Sequence, residues 1–299
     1  MTDSFLAIVN PAAGHGRCGK LFAPALARLR AAGLQIDVAQ TTHAGHAVAL
    51  AREAYRCGYR RFIAVGGDGT AYEIVNGLFP EALDGEPPTL GFLPLGTGNS
   101  FLRDFSQRGL DYAMESLLSG RSRPCDVIKL THREGVVYYI NILSLGFVAD
   151  VCALTNRYFK WMSFMGYGLA VILCMARFKR VVYPMRIDGA SEMDQTKTAL
   201  LIFNNSQYTA GTMRLAPHAN VSDGLVEIVC WAVGRLGFLL NFANMYDGSH
   251  INHPALWHRP ARRVDFYMDQ PVNIMIDGEV LRVHCQSLEV LPSVLNVVA

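Results

Sequence analysis

The chain has 299 residues, 51% of them hydrophobic, and its 27 basic and 25 acidic side chains leave a net charge of +2. That length buries a substantial core and suits one or two domains, two being the expectation, while so even a charge excludes the basic field that non-specific nucleic-acid binding needs. Seven cysteines without a C-x-x-C pair exclude a complete disulfide framework and read as reduced, mostly buried thiols.

The N-terminus, Met1-Thr2-Asp3-Ser4-Phe5, lacks the basic start and apolar stretch of a signal peptide, so a cytoplasmic chain is expected. From there strand-like runs at 5–10, 35–40, 61–65 and 89–95 alternate with helix-like runs near 18–32, 45–57, 71–78 and from Ser100 onward. Such alternation predicts an α/β domain with a Rossmann-like parallel sheet and helices on both faces. Ligands of such sheets sit at the carboxyl ends of the strands, where the glycine turns fall.

The first turn is Asn10-Pro11-Ala12-Ala13-Gly14, with Gly16 and Arg17 just before a helix. It suits a loop closing over phosphate oxygens with Arg17 as charge partner, although any strand-to-helix turn uses Pro and Gly. Gly66-Gly67-Asp68-Gly69-Thr70 is sharper, since a turn does not need three glycines around an acid placed where phosphates should lie. A carboxylate there needs shielding, for which Mg²⁺ is the usual means, so Asp68 reads as a metal-holding or proton-accepting group, with a helix cap as the plainer alternative. Glu73, three residues beyond Thr70, is expected near the same face. Gly96-Thr97-Gly98-Asn99 repeats the strand-turn-helix pattern. His43 and His46 have H-x-x-H spacing without a third ligand, so no zinc site is expected.

After Pro124 the pattern becomes strand-like at 126–131, 136–143, 181–187, 199–203, 225–229, 264–268, 272–276 and 288–291. This predicts an all-β antiparallel second domain over 125–299, after an α/β domain over 1–124, with the last strand free to return to the first domain. Asp188-Gly189, Asp223-Gly224 and Asp277-Gly278 are hairpin signals because both residues accept positive φ. The uncharged stretch 161–176, between Lys160 and Arg177, is shorter than the ~20 apolar residues of a spanning helix and reads as a buried or lipid-facing helix.

Together, the strand-GGDGT-helix, the Asn10-Pro11-x-x-Gly14 loop and Pro94-Leu95-Gly96-Thr97-Gly98-Asn99 resemble the diacylglycerol kinase catalytic-domain family, which includes bacterial lipid kinases, sphingosine kinases and ceramide kinases. Thr41-Thr42-His43-Ala44-Gly45-His46-Ala47 is similar to the family's T-x-x-x-G-x-A segment, and Ser144 to Asp150 to the turn that begins its lipid-binding region. The resemblance covers nearly the whole chain. It implies a nucleotide cleft between the α/β domain and a C-terminal antiparallel β-sandwich, and transfer of the ATP γ-phosphate to a lipid hydroxyl. It implies ATP contact by Thr41 and the glycine turns, and a structural Mg²⁺ loop at Pro217-x-Ala219-x-x-x-Asp223-Gly224. In that loop Asp223 is the side-chain ligand and the backbone near Asn220 and Leu225 supplies the rest. Met275-Ile276-Asp277-Gly278-Glu279 resembles the acidic turn that completes the active site. For Asp277 and Glu279 a plain hairpin is the competing reading, yet a carboxylate reaching the attacking hydroxyl would suit a general base.

One departure stands out: Ser100 occupies the position after G-T-x-N where bacterial diacylglycerol kinases of this type carry Asp. Asp104, one helical turn on, is the expected replacement for part of that charge. Ser100 also keeps sphingoid bases and ceramide open as acceptors beside diacylglycerol, with a soluble NAD-type kinase or a non-catalytic nucleotide sensor as readings of another class. A two-tailed substrate implies a peripheral enzyme at the inner membrane surface. Phe159, Trp161, Met162, Phe164, Met165, Tyr167, Leu169 and Ile172 are the expected apolar contact, and Lys160, Arg177, Lys179 and Arg180 the headgroup partners. A homodimer is left open.

Overall fold

The computed structural model describes residues 2–155, 158 and 173–299. Its first part forms β1 (Thr2–Val9), α1 (Arg17–Ala31), β2 (Ile36–Gln40), α2 (His46–Arg56), β3 (Tyr59–Gly66), α3 (Asp68–Leu78), β4 (Thr89–Pro94) and α4 (Leu110–Ser119). The strands lie in the order β2-β1-β3-β4, all parallel. Alternation along β1 sends Leu6 and Ile8 to one face, with Ala51, Ile74 and Leu78, and Phe5, Ala7 and Val9 to the other, with Leu29 and Leu117. Covered on both faces, β3 reads as the continuous apolar run Phe62-Ile63-Ala64-Val65.

The second part contains β5 (Ser122–His132), β6 (Gly135–Tyr139), β7 (Ile142–Gly146), α5 (Phe147–Leu154), β8 (Val181–Val182), β9 (Met185–Ile187) and β10 (Lys197–Thr198). There follow β11 (Leu200–Asn204), β12 (Tyr208–Thr209), β13 (Met213–Arg214), β14 (Val226–Trp231), β15 (Leu256–Ala261), β16 (Arg263–Phe266), β17 (Val272–Ile276), β18 (Glu279–Val283) and β19 (Cys285–Val298). β15-β14-β11-β7-β17-β18 form an antiparallel sheet. The layer facing it is continuous with the first sheet. β19 pairs antiparallel with β5 and β16, and at Asn296 and Val297 it runs parallel to β4. Leu130, Val264 and Leu288 of that layer meet Phe203, Ile228 and Ile274 of the other in one core.

Several local expectations change. Residues 136–143 form two strands, because the chain bends at Ile140-Asn141 and turns the amides of Ile140 and Ile142 toward the Asp277 carboxylate. Residues 181–187 break at Pro184, which has no N–H to donate to a ladder. The helix expected from Ser100 is a 3-10 turn, Phe101–Asp104, followed by α4. Asp277-Gly278 joins β17 to β18 with φ of 46° and 95°, whereas Asp223-Gly224 leads from a loop into β14 and closes no hairpin. The expected membrane stretch, from Phe159 through Ile172 and including Lys160, lies outside the described residues. Among those described, no helix is long and apolar enough to cross a membrane.

Candidate active site

Three turns converge at the carboxyl ends of β1, β3 and β4. A Cβ on Gly96 would stand 2.6 Å from the Cα and N of Gly67, and one on Gly14, at φ +62°, would stand 2.8 Å from the Leu95 carbonyl oxygen. Only glycine permits backbones to close to that distance. The Gly96 N–H donates to the Gly66 carbonyl at 2.7 Å, locking the second turn to the third. With the N-terminus of α3 beside them, the turns form a rim of backbone that fits anionic oxygens.

A cavity of about 750 Å³ opens from this rim. Asn10, Pro11, Gly14, Thr41, Gly67, Asp68, Gly69, Thr70, Glu73, Thr97 and Gly98 line one end, and Asp277 and Glu279 reach it from the β17–β18 turn. The cavity continues into an apolar arm walled by Phe147, Val151, Met213, Leu215, Phe238, Met245 and Met275. Polar rim, carboxylates and apolar arm are one continuous space.

Within it, Asp68 accepts the Ser100 N–H at 2.8 Å and the Phe101 N–H at 3.4 Å, and bonds the Ser100 hydroxyl; burial still raises its proton affinity above that of an ordinary carboxylate. Asp277 is 3% exposed and accepts the N–H groups of Ile140 at 3.1 Å and Ile142 at 2.8 Å. Burial first, and the Asp68 charge after the opposing amides, push it up to about 7. Glu279 is exposed, its carboxylate 3.5 Å from where a Gly69 Cβ would stand. Among the described residues no three His, Cys, Asp or Glu side chains converge to hold a metal. Asp68 and Glu279 present carboxylate oxygens, the hard ligands that suit Mg²⁺ beside phosphate oxygens.

Other expected residues lie outside the cavity or, like Glu73, border it with their polar atoms engaged elsewhere. The Arg17 guanidinium donates to the Gly96 carbonyl at 3.3 Å and lines a separate hollow behind the third turn, with Asn99. The Asn99 amide, on a residue with φ of 49°, donates to the Pro94 and Gly96 carbonyls and braces the turn. Gly66 packs under Thr70, beneath the cavity floor. Glu73 borders the cavity, but its carboxylate accepts the Gly45 and Ala47 N–H groups at 2.9 and 3.0 Å, which caps the free amides of α2. Asp104 does not replace the missing charge: it accepts the N–H groups of Gln207 and Tyr208, and burial pushes it up to about 7. In the proposed metal loop, Asp223 accepts the Leu225 N–H at 3.0 Å and the Asn220 side chain accepts from Ser222. Buried Asp126 lies behind them, accepting from Gly224 and Ser293.

Sequence reasoning touched the arm only at the Ser144–Asp150 turn, which carries Phe147, and missed its other walls as well as Asn141 and Thr209. The Thr209 hydroxyl is buried without a partner among the described residues, on a hairpin whose Gly211 N–H donates to Ser100 Oγ at 2.8 Å. Ser100 is thus the joint between the Asp68 turn and that hairpin. Its departure from the family pattern was the available signal for that hairpin.

Two family models account for most of the chain: diacylglycerol kinase catalytic domain over residues 4–130, and YegS C-terminal NAD kinase beta sandwich-like domain over 141–299. The diacylglycerol kinase of Bacillus subtilis is 29% identical over 276 residues, 91% of this chain and 88% of its own. That of Staphylococcus aureus (strain MRSA252) is 27% identical over 279 residues, 91% of this chain and 84% of its own. A crystal structure of a diacylglycerol kinase from Bacillus anthracis matches with a TM-score of 0.71 at 22% identity, covering 100% of this chain and 98% of its own, a likeness of fold.

Proposed function

The chain belongs to the diacylglycerol kinase family of lipid kinases, and from that premise we propose that it transfers the γ-phosphate of Mg²⁺-bound ATP to the hydroxyl of diacylglycerol, giving phosphatidic acid. The observation that carries this reading is the single cavity in which a glycine rim, Asp68, Asp277 and Glu279, and an apolar arm follow one another.

Backbone N–H groups of the three turns and Thr41 hold the polyphosphate, and the arm takes an acyl chain. Mg²⁺, when bound, neutralises the phosphate oxygens, with Asp68 and Glu279 as the carboxylates placed to hold it. Asp277, titrating near neutrality, accepts the acceptor hydroxyl's proton. Asp223, with the backbone near Asn220 and Leu225, is proposed as a structural Mg²⁺ loop. Burial first, and to a smaller extent the Asp223 charge, raise the proton affinity of Asp126 behind the loop, a charge proximity that a cation relieves. Ser100 supports a second reading, in which a sphingoid base or ceramide is the acceptor. A diacyl substrate leaves part of itself in the bilayer, so the protein works at the inner membrane surface.

Incubation with γ-labelled ATP and Mg²⁺ against vesicles carrying diacylglycerol, monoacylglycerol, sphingosine or ceramide, with NAD in solution, tests this. Label in phosphatidic acid is expected. Label confined to sphingosine or ceramide moves the acceptor to the second reading, and label on NAD alone refutes a lipid acceptor.

A further inference from the structure

The short helix Arg235–Leu240 has two unlike sides. Phe238 is fully buried and forms a wall of the apolar arm. Leu236 and Leu240, two positions away on either side, point the other way and are 69% and 74% exposed, with Leu239 at 49% and Tyr246 at 48%. Single exposed leucines need no explanation, but three on one helix of six residues make an apolar face that water does not favour.

Its rim is basic. Arg235 is exposed at the start of the helix, and Arg177, Lys179 and Arg180 are exposed on the neighbouring segment, with Asp247 as an exposed acid nearby in the chain. That segment is held beside the helix: the Phe178 and Phe238 rings lie 5.7 Å apart, and the Arg180 guanidinium donates to the Ala232 carbonyl at 3.1 Å. Apolar side chains flanked by cations are the pattern of a surface that lies in the headgroup layer of an anionic bilayer.

We propose that the leucine face of helix Arg235–Leu240, with its basic rim, seats the protein on an anionic membrane, so that one helix separates bilayer from arm and a lipid passes from one to the other around Phe238. This inference rests on the lipid-kinase reading for its purpose, but the docking is measurable alone.

Cosedimentation with vesicles of phosphatidylcholine and phosphatidylglycerol, beside turnover of vesicle-borne diacylglycerol and of dispersed dihexanoylglycerol, tests it. The double variant L236E/L240E should lose roughly tenfold or more of vesicle binding, two leucines' worth of apolar transfer. Its KM for vesicle-borne diacylglycerol should rise in step, with turnover of dihexanoylglycerol and melting temperature as in the wild type. K179E/R235E should weaken binding to anionic vesicles and leave binding to neutral ones unchanged. Wild-type binding by L236E/L240E overturns the proposal. So does loss of both activities with a lowered melting temperature, or a lipid-free dimer that the substitutions dissociate while vesicle binding persists. Leucine-dependent binding by a protein that labels no lipid upholds the docking surface and refutes the kinase reading.

Discussion

Asp277 shows how a residue fixed by a hairpin can also face a cavity. It stands in a tight Asp-Gly hairpin, and the φ of 46° that the hairpin demands points its carboxylate into the cavity, where the bent backbone at Ile140–Ile142 meets it with two amides. Asp277→Asn should lower kcat by about 10²- to 10⁴-fold with the KM for ATP little changed, as measured by initial rates. In the wild type kcat should rise with pH through about 7, and this limb should vanish in the variant. Stability moves the opposite way. Asp277 and Asp104 both titrate at about 7 in the fold, against roughly 4 in an unfolded chain. The stability they confer is fully present below the unfolded value and is lost as pH rises through the folded one. Melting temperature should therefore fall between pH 5 and pH 8. Asp104→Asn, whose Oδ1 can still accept the Gln207 and Tyr208 amides, should flatten part of that slope.

At the scale of elements, the parallel strands and glycine turns were legible because each reduces to a short-range rule. β3 is an unbroken apolar run, and backbones 2.6 Å from where a side chain would stand tolerate one residue type. Gly96→Ala should cost about 1–3 kcal/mol, since the added methyl meets rigid backbone. A raised KM for ATP should accompany the lower melting temperature if the turns cradle phosphate. What was illegible depended on partners distant in the chain. Glu73, expected as a site acid, lines the cavity while its carboxylate caps α2, whose Gly45 amide is 28 residues away, and Asp104, expected as a substitute charge, grips Gln207. Spacing along one helix says which side chains share a face, and says nothing of what packs on it.

Taken as a molecule, the protein places its glycine rim on the first sheet and its arm on the second, and β19 ties the two by running from the sandwich to β4. Beyond the Ser144–Asp150 turn that carries Phe147, the arm left no trace in the sequence, because Met213, Phe238, Met245 and Met275 come from separate segments. Filling it tests its role. Met213→Trp should raise the KM for dioleoylglycerol by about tenfold while leaving dihexanoylglycerol nearly unchanged, because pocket contacts discriminate by chain volume. Equal effects on both acceptors would place the acyl chain elsewhere.

The most direct measurement is a crystal structure with a non-hydrolysable ATP analogue, Mg²⁺ and dioctanoylglycerol. The triphosphate should lie along the three glycine turns and one acyl chain against Phe238 and Met275. The lipid hydroxyl should stand beside Asp277, about 3–3.5 Å from the γ-phosphorus and in line with the leaving oxygen. A nucleotide bound away from Gly67 and Gly96, or a lipid hydroxyl on the far side of the carboxylates from the phosphates, would contradict this arrangement.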